Sequence, residues 1–149
     1  MLHSFMIISG RGGLVLYRKV FTRAPNQPRL IAGLVTALGE FSVRSIGIPI
    51  THIELENVTI TALEIPIGND EAGSEHLRAV LFHDTGDADL YGHSVGLQLL
   101  TVFKENYAER LLSLQLANVQ GVEDIFKGFG ALVRPAIVAS VFPLLEFRT

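Results

Sequence analysis

The chain has no cysteine, which excludes disulfide staples, a thiolate nucleophile and any zinc site built on sulfur, and fits a reducing compartment. A surplus of positive charge is also missing. Twelve Lys and Arg against fifteen Asp and Glu leave a formal net charge of −3, without the basic stripe that tracks a phosphate backbone, and this speaks against nucleic acid as a partner. No run of apolar residues is long enough to span a bilayer: the longest late one, Pro135 to Leu145, has eleven residues and an internal Pro143, where a spanning helix needs ~20. The N-terminus has no early basic cluster, and Arg11, Arg18 and Lys19 fall within an alternating pattern rather than a secretory signal. The expectation is a cytoplasmic protein, at most peripheral on endomembranes.

What is present is apolar. With 149 residues, 48% of them hydrophobic, and no internal repeat or low-complexity stretch, residues 1–149 suffice for one domain with a real core. The mean hydropathy of +0.37 is high for such a chain and implies apolar surface left open in the monomer, to be closed by a partner or a second copy.

Met1 to Ser9 and Leu14 to Phe21 are rich in β-branched, aromatic and aliphatic residues with alternation, and they flank Ser9-Gly10-Arg11-Gly12-Gly13. This predicts a hairpin closed by a turn whose glycines supply positive φ. After a polar link from Thr22 to Gln27, Pro28 suits a first helical turn. Leu30, Ile31, Leu34, Val35, Leu38 and Phe41 then recur at three- and four-residue steps, with Arg29, Thr36, Glu40 and Arg44 elsewhere on the wheel. The spacing predicts an amphipathic helix over Arg29 to Ser45, ended near Gly47 and Pro49. Strands are predicted over His52 to Glu56 and Val58 to Ile65, broken, bulged or kinked at Asn57, with Glu54, Glu56 and Glu64 on the wet side, and over Leu77 to Phe82. Pro66 to Glu75 is a turn or loop. His83 to Ala88 and Asp89 form a turn with helix-capping carboxylates ahead of a helix from Leu90 to Leu112, whose stripe is Leu99, Leu100, Phe103, Tyr107, Leu111 and Leu114. A break at Asn118 to Gly121 precedes a helix over Val122 to Arg134, with Ile125, Phe126, Phe129, Leu132 and Val133 inward and Pro135 ending or kinking it; Ala136 to Phe147 is a short helix or an added strand.

The resulting order, β-β-α-β-β-β-α-α, describes an α+β fold: a five-stranded antiparallel sheet with the first helix on one face and the last two on the other. This order resembles the profilin-like longin domain. The carriers are the hairpin from Phe5 to Gly10 with Gly13 to Arg18, the helix from Leu30 to Phe41, and Arg78 to Asp84 before the long helix. Roadblock domains are similar but begin with a helix, whereas this chain begins with a strand. The resemblance implies a stand-alone longin or an adaptor or tethering small subunit: a platform that binds proteins, often pairing by an edge strand or a helix face, in vesicle trafficking or small-GTPase regulation. The partners it implies are a small GTPase or another longin or roadblock subunit, in a homo- or heterodimer. No coiled-coil heptads follow, so the chain does not resemble a SNARE, and an adaptor subunit's sorting-signal pocket finds no residue-by-residue match.

Catalytic and cofactor motifs are poorly supported. Gly10-Arg11-Gly12-Gly13 is followed by a strand and lacks the Gly-Lys-Ser/Thr ending of a phosphate loop. An EF-hand starting at Asp84 would find Gly86 at its third position and Val95 at its twelfth, where ligands are needed. His83 and His93 have no Ser or Cys on a recognisable elbow beside them, and His3, His52 and His76 are scattered without metal-ligand spacing. No catalytic, metal or cofactor residues are therefore expected. Arg11, Arg18, Lys19 and Arg23 form a basic set on the first hairpin and its exit, either a solvated edge or a contact for anionic lipid or an acidic partner. The tail around Val138, Val141, Phe142, Leu144, Leu145 and Phe147 either packs on the sheet or lies in a partner's groove.

The expected function is thus a non-enzymatic protein-interaction module acting by edge-strand pairing or by the first helix's outer face, with Arg11, Tyr17, Arg18, Lys19, Phe41, Arg44 and Phe142 as contact residues. The alternative is a small-molecule or metal-binding sensor of profilin-like or PAS-like shape, with its pocket between the sheet and the Asp84 to Asp89 turn. A hydrolase requires His83 or His93 to meet Ser94 or Thr85 in a cleft.

Overall fold

The computed structural model describes residues 1–9, 13–23, 26–67, 76–87, 90–113 and 122–146, with backbone alone for 112, 113, 123 and 141–146. Five strands, β1 (Leu2–Ser9), β2 (Val15–Val20), β3 (His52–Glu54), β4 (Val58–Pro66) and β5 (His76–Asp84), form one sheet in the order β2-β1-β5-β4-β3. All its ladders are antiparallel. The expected hairpin is there, β1 against β2, with Met6 opposite Arg18 and Ile7 opposite Tyr17. Of the turn glycines only Gly13 lies among the described residues, at φ 68°. A side chain there would meet Thr36 Oγ1 at 3.0 Å, so glycine is required both by conformation and by space.

Four α-helices lie among the described residues: α1 (Pro28–Ile46), α2 (Tyr91–Ser113), the single turn α3 (Val122–Ile125) and α4 (Gly130–Glu146). Alternation along the strands divides the interior into two cores. Phe5, Ile7, Leu77, Ala79 and Leu81 face α2, α3 and α4, where Phe103, Phe126 and Phe129 are fully buried. Met6, Ile8, Ile60, Ala62, Val80 and Phe82 face α1. α2 lies close on its side because it presents glycine there: a Cβ on Gly92 would come within 2.6 Å of His83 Nε2, and one on Gly96 within 2.4 Å of Leu63 Cδ2.

Three expectations are corrected. The first concerns α1, whose inward residues are Ala32, Val35, Thr36 and Ser42, while Leu30, Leu34 and Phe41 are 65%, 54% and 67% exposed. Thr36, assigned to the polar side of the wheel, is inside because its Oγ1 is satisfied, donating to the Ala32 carbonyl at 2.8 Å and accepting from Arg78 Nη1 at 3.0 Å. Second, Pro135 does not end its helix. The chain breaks earlier, at a 3₁₀ turn over Lys127–Phe129, and α4 runs on through Pro135; Ala131 and Pro135 are both exposed, so water can serve the carbonyl that the missing N–H leaves free. The tail backbone is helical as far as Glu146 and not an added strand. Third, Asp84 and Asp87 are engaged by the Met1 amino group and by His3 and His83, and no acidic residue occupies the first turn of α2. Of the expected loop from Pro66 to Glu75, Pro66 instead ends β4, and residues 68–75 lie outside the described residues, as do Asp89, Leu114 and the expected break at 118–121.

Candidate protein-interaction surface

α1 begins at Pro28, whose fixed φ suits the first turn, and ends at Gly47, whose φ of 84° closes the helix with its N–H donating to Val43 O at 2.9 Å. Between these stops the helix has two apolar sides. Small residues, Ala32, Thr36, Gly39 and Ser42, meet the sheet; a Cβ on Gly39 would lie 3.7 Å from Arg78 Nη2. Leu30, Leu34 and Phe41, at i, i+4 and i+11 with Ala37 between them, stand on the opposite side in solvent. Ile46, at 71%, and Ile48, at 66%, extend the exposed apolar surface past the helix end.

The adjoining sheet edge is incomplete. β3 has three residues, and its ladder covers β4 only from Thr59 to Thr61, with flanking bonds from Leu55 N–H to the Val58 carbonyl at 2.8 Å and from Ala62 N–H to the Thr51 carbonyl at 2.9 Å. From Leu63 to Pro66, β4 has no strand on that side among the described residues. A groove of about 340 Å³ runs between this edge and α1, with Val35, Val43 and Ile50 as apolar lining and Glu40, Arg44, Glu64 and Arg78 as charged lining. Ser42 fixes the segment that closes its far end, accepting from Ile50 N–H at 2.9 Å. Arg78 is largely buried and bridges the layers, donating from Nη2 to Glu64 Oε2 at 2.9 Å and from Nη1 to Thr36. An edge with open backbone groups beside an apolar helix face is the arrangement through which a second protein adds a strand and a helix.

Of the contact residues expected from sequence, Phe41 and Arg44 fall on this surface, both exposed. Arg18 and Lys19 are exposed on β2, the opposite edge of the sheet. Tyr17 is corrected: it is 8% exposed, its ring edge-on to Phe129 at 5.1 Å and near Phe5, and burial, then the neighbouring Tyr107, pushes its phenol above its ordinary value. It belongs to the core because it faces α3 and α4 across the sheet. Arg11 and the side chain of Phe142 lie outside the described residues. Sequence reasoning missed the exposure of Leu30 and Leu34, whose signal is the small-residue series Ala32, Gly39, Ser42 on the other side of the same helix.

His3 links a hydroxyl to a carboxylate, and His83 links a hydroxyl to a backbone carbonyl. Thr22 Oγ1 is 2.6 Å from His3 Nδ1, and His3 Nε2 is 2.6 Å from Asp84 Oδ1. Thr61 Oγ1 is 2.7 Å from His83 Nε2, while His83 Nδ1 hydrogen-bonds the Asp84 carbonyl at 3.1 Å and lies 3.5 Å from Asp87 Oδ2, a buried atom without a hydrogen-bond partner among the described residues. The second places Thr, His and Asp near one another as in an acyl-transfer triad, but without the imidazole–carboxylate hydrogen bond that orients the base. Thr61 is nevertheless buried under α2, where Gly92 packs on both its hydroxyl and the imidazole, so no substrate carbonyl reaches it. His83 meets neither Ser94 nor Thr85, and His93 is exposed on α2. Tyr91 stands edge-on to His83 at 5.8 Å, its phenol held above its ordinary value by burial and by the Asp87 charge. Among the described residues no group of three His, Asp or Glu is placed to hold a metal ion, and no helix is long and apolar enough to cross a membrane.

No family model matches the sequence. No curated protein matches it either. Among solved structures it is similar to the gliding protein MglB from Thermus thermophilus, with a TM-score of 0.41, 20% identity and 72% of each chain covered. It is also similar to MglB in a tetrameric arrangement, with a TM-score of 0.40, 18% identity and 74% of each chain covered. Likenesses of this size carry no argument about partners, and the interaction surface stands on the geometry of α1 and the β3–β4 edge.

Proposed function

We propose that the protein is a non-enzymatic interaction module that pairs with a longin-like subunit, a second copy or a related chain, through the outer face of α1 and the neighbouring β3–β4 edge. Its role is that of a scaffold or adaptor subunit, and the resemblance to longin domains implies small-GTPase regulation or vesicle-mediated transport, in the cytoplasm or peripherally on endomembranes. One observation carries the proposal: α1 spends its small residues on its own sheet and holds Leu30, Leu34 and Phe41 in water.

The magnitudes say which parts of the surface must act together. Fully burying a Leu or Phe side chain contributes ~1.5–3 kcal/mol, and these three are 65%, 54% and 67% exposed, so the stripe supplies about 3–6 kcal/mol. Association costs ~4–15 kcal/mol in lost freedom. The stripe alone is too weak, and the open backbone groups of β4 with Ile46, Ile48 and the charged groove must contribute. Sedimentation of the purified protein tests this: a dimer dissociating at micromolar concentration is expected, with Phe41→Asp monomeric throughout and unchanged in circular dichroism. A wild-type protein that stays monomeric at high concentration removes self-association.

A further inference from the structure

On the α1 face of the sheet, toward the end where β1 begins, lies a second cavity of about 220 Å³ whose lining includes Ser4, Arg23, Leu55, Val58 and Phe82. Three features of it are unexplained by the interaction surface. Ser4 is 3% exposed, and its Oγ is buried with no hydrogen-bond partner; its neighbours in the two ladders, Val20 and Phe82, have no polar side-chain atoms to offer. A buried hydroxyl without a partner is costly and calls for an explanation. Arg23 is exposed, with no ion pair or hydrogen bond among the described residues. The remaining wall is apolar: Phe82 and Val58 belong to the α1-side core, and Leu55 is 53% exposed at the rim.

The chemistry of an occupant follows from these groups. A guanidinium fork matches a carboxylate in plane and spacing. A serine hydroxyl changes between staggered rotamers readily and can donate to the same oxygen. His3 also lines the cavity, but both its ring nitrogens are engaged, by Thr22 and Asp84, and Asn57 adds one amide. With a single cation and no helix N-terminus among the lining groups, a dianionic phosphate would lack donors. The volume equals that of about seven waters at ~30 Å³ each, room for a short aliphatic chain against Phe82 and Val58.

We propose that this cavity binds a carboxylate on a short aliphatic stem, the carboxylate on Arg23 and the Ser4 hydroxyl, the stem on Phe82 and Val58. A free short-chain acid and a glutamate side chain of a partner both carry that chemistry. The test is an amide-resolved NMR titration of the full chain with butyrate, with butyramide, and with N-acetyl-glutamate methylamide. Butyrate is expected to shift the Ser4, Arg23, Val58 and Phe82 amides saturably in the millimolar range, and butyramide is not. Arg23→Gln, on the surface, should weaken butyrate about tenfold. Ser4→Ala should weaken it several-fold while leaving thermal stability intact, since it removes an unpartnered hydroxyl. Tighter binding of butyrate than of the blocked glutamate identifies a free acid as the ligand, and the reverse order a protein side chain; both support the proposal. No saturation by either acid, equal binding of butyramide, or an Arg23→Gln variant that binds butyrate as well as wild type overturns it.

Discussion

Glycine has opposite consequences at two positions of this chain. Gly96 lets α2 approach the sheet: a Cβ there would stand 2.4 Å from Leu63 Cδ2 and 2.9 Å from Leu81 Cδ1, both in the core. Gly33, on the exposed side of α1, has nothing within 4 Å of its would-be Cβ. Replacing a helical glycine by alanine contributes about 1 kcal/mol through propensity, whereas forcing a methyl into a packed core costs ~1–3 kcal/mol. Gly96→Ala is therefore expected to destabilise, by up to about 2 kcal/mol, and Gly33→Ala to stabilise by about 0.5–1 kcal/mol, read as urea midpoints at constant slope. Asp84 makes a second prediction. The His3 hydrogen bond holds its carboxyl below the usual carboxylate range, and the charges of the Met1 amino group and the imidazole add to this against opposing desolvation. A carboxyl depressed in the folded state stabilises fully above the unfolded pKa of about 3.9, and that contribution disappears as pH falls through the lower folded value. Urea unfolding between about pH 2 and pH 6 should show stability falling on the acid side, with a shallower fall in Asp84→Asn.

At the scale of elements, the strands were legible because β-branched, aromatic and aliphatic residues cluster between turn signals, although burial does not follow a single face: Thr59 to Leu63 of β4 are all buried and β3 has no buried residue. α1 was legible in its limits and not in its facing. Both of its sides are apolar, and periodicity finds a helix from Leu30, Leu34 and Phe41 without telling that Ala32, Val35 and Thr36 are the residues that fit beneath Gly13 and beside Arg78. Size, not hydrophobicity, decides which side goes in, because the approach of α1 to the hairpin leaves no space for a leucine. The rule against proline in a helix interior failed at Pro135 for a related reason: its cost depends on whether the freed carbonyl is dry, and here that side of α4 is wet. The carboxylates at 84 and 87 read locally as capping groups. Their partners His3 and the amino terminus lie more than eighty residues away in sequence, His3 being 81 from Asp84, and no local pattern carries such a pairing. Candidate contacts fared likewise: Phe41 and Arg44 were visible as outer positions of a helix, while Ser4 and Arg23 become a site only when β1 and the link to α1 are brought together.

The molecule as a whole is lopsided. On one face of the sheet, α2 and α4 lock a deep core in which Phe103, Tyr107, Phe126 and Phe129 meet in tilted and edge-on ring pairs at centroid distances of 5.0–6.4 Å. On the other, α1 contributes only two buried apolar side chains, Ala32 and Val35, and is the long helix least tied to other elements. Apolar area sets how much each layer is held, so α1 should open without unfolding the rest. Native-state hydrogen exchange in dilute solution is expected to give α1 amides an opening free energy at least about 2 kcal/mol below that of β1, β5 and α2. If the outer face of α1 is an interface, protection there alone must rise with protein concentration, because a partner that binds the docked helix disfavours its release. Phe41→Asp should abolish that rise while leaving β1 and β5 unchanged. Equal protection of α1 and β5 in dilute solution would contradict the uneven division of the core, and protection of α1 independent of concentration would contradict pairing through that face.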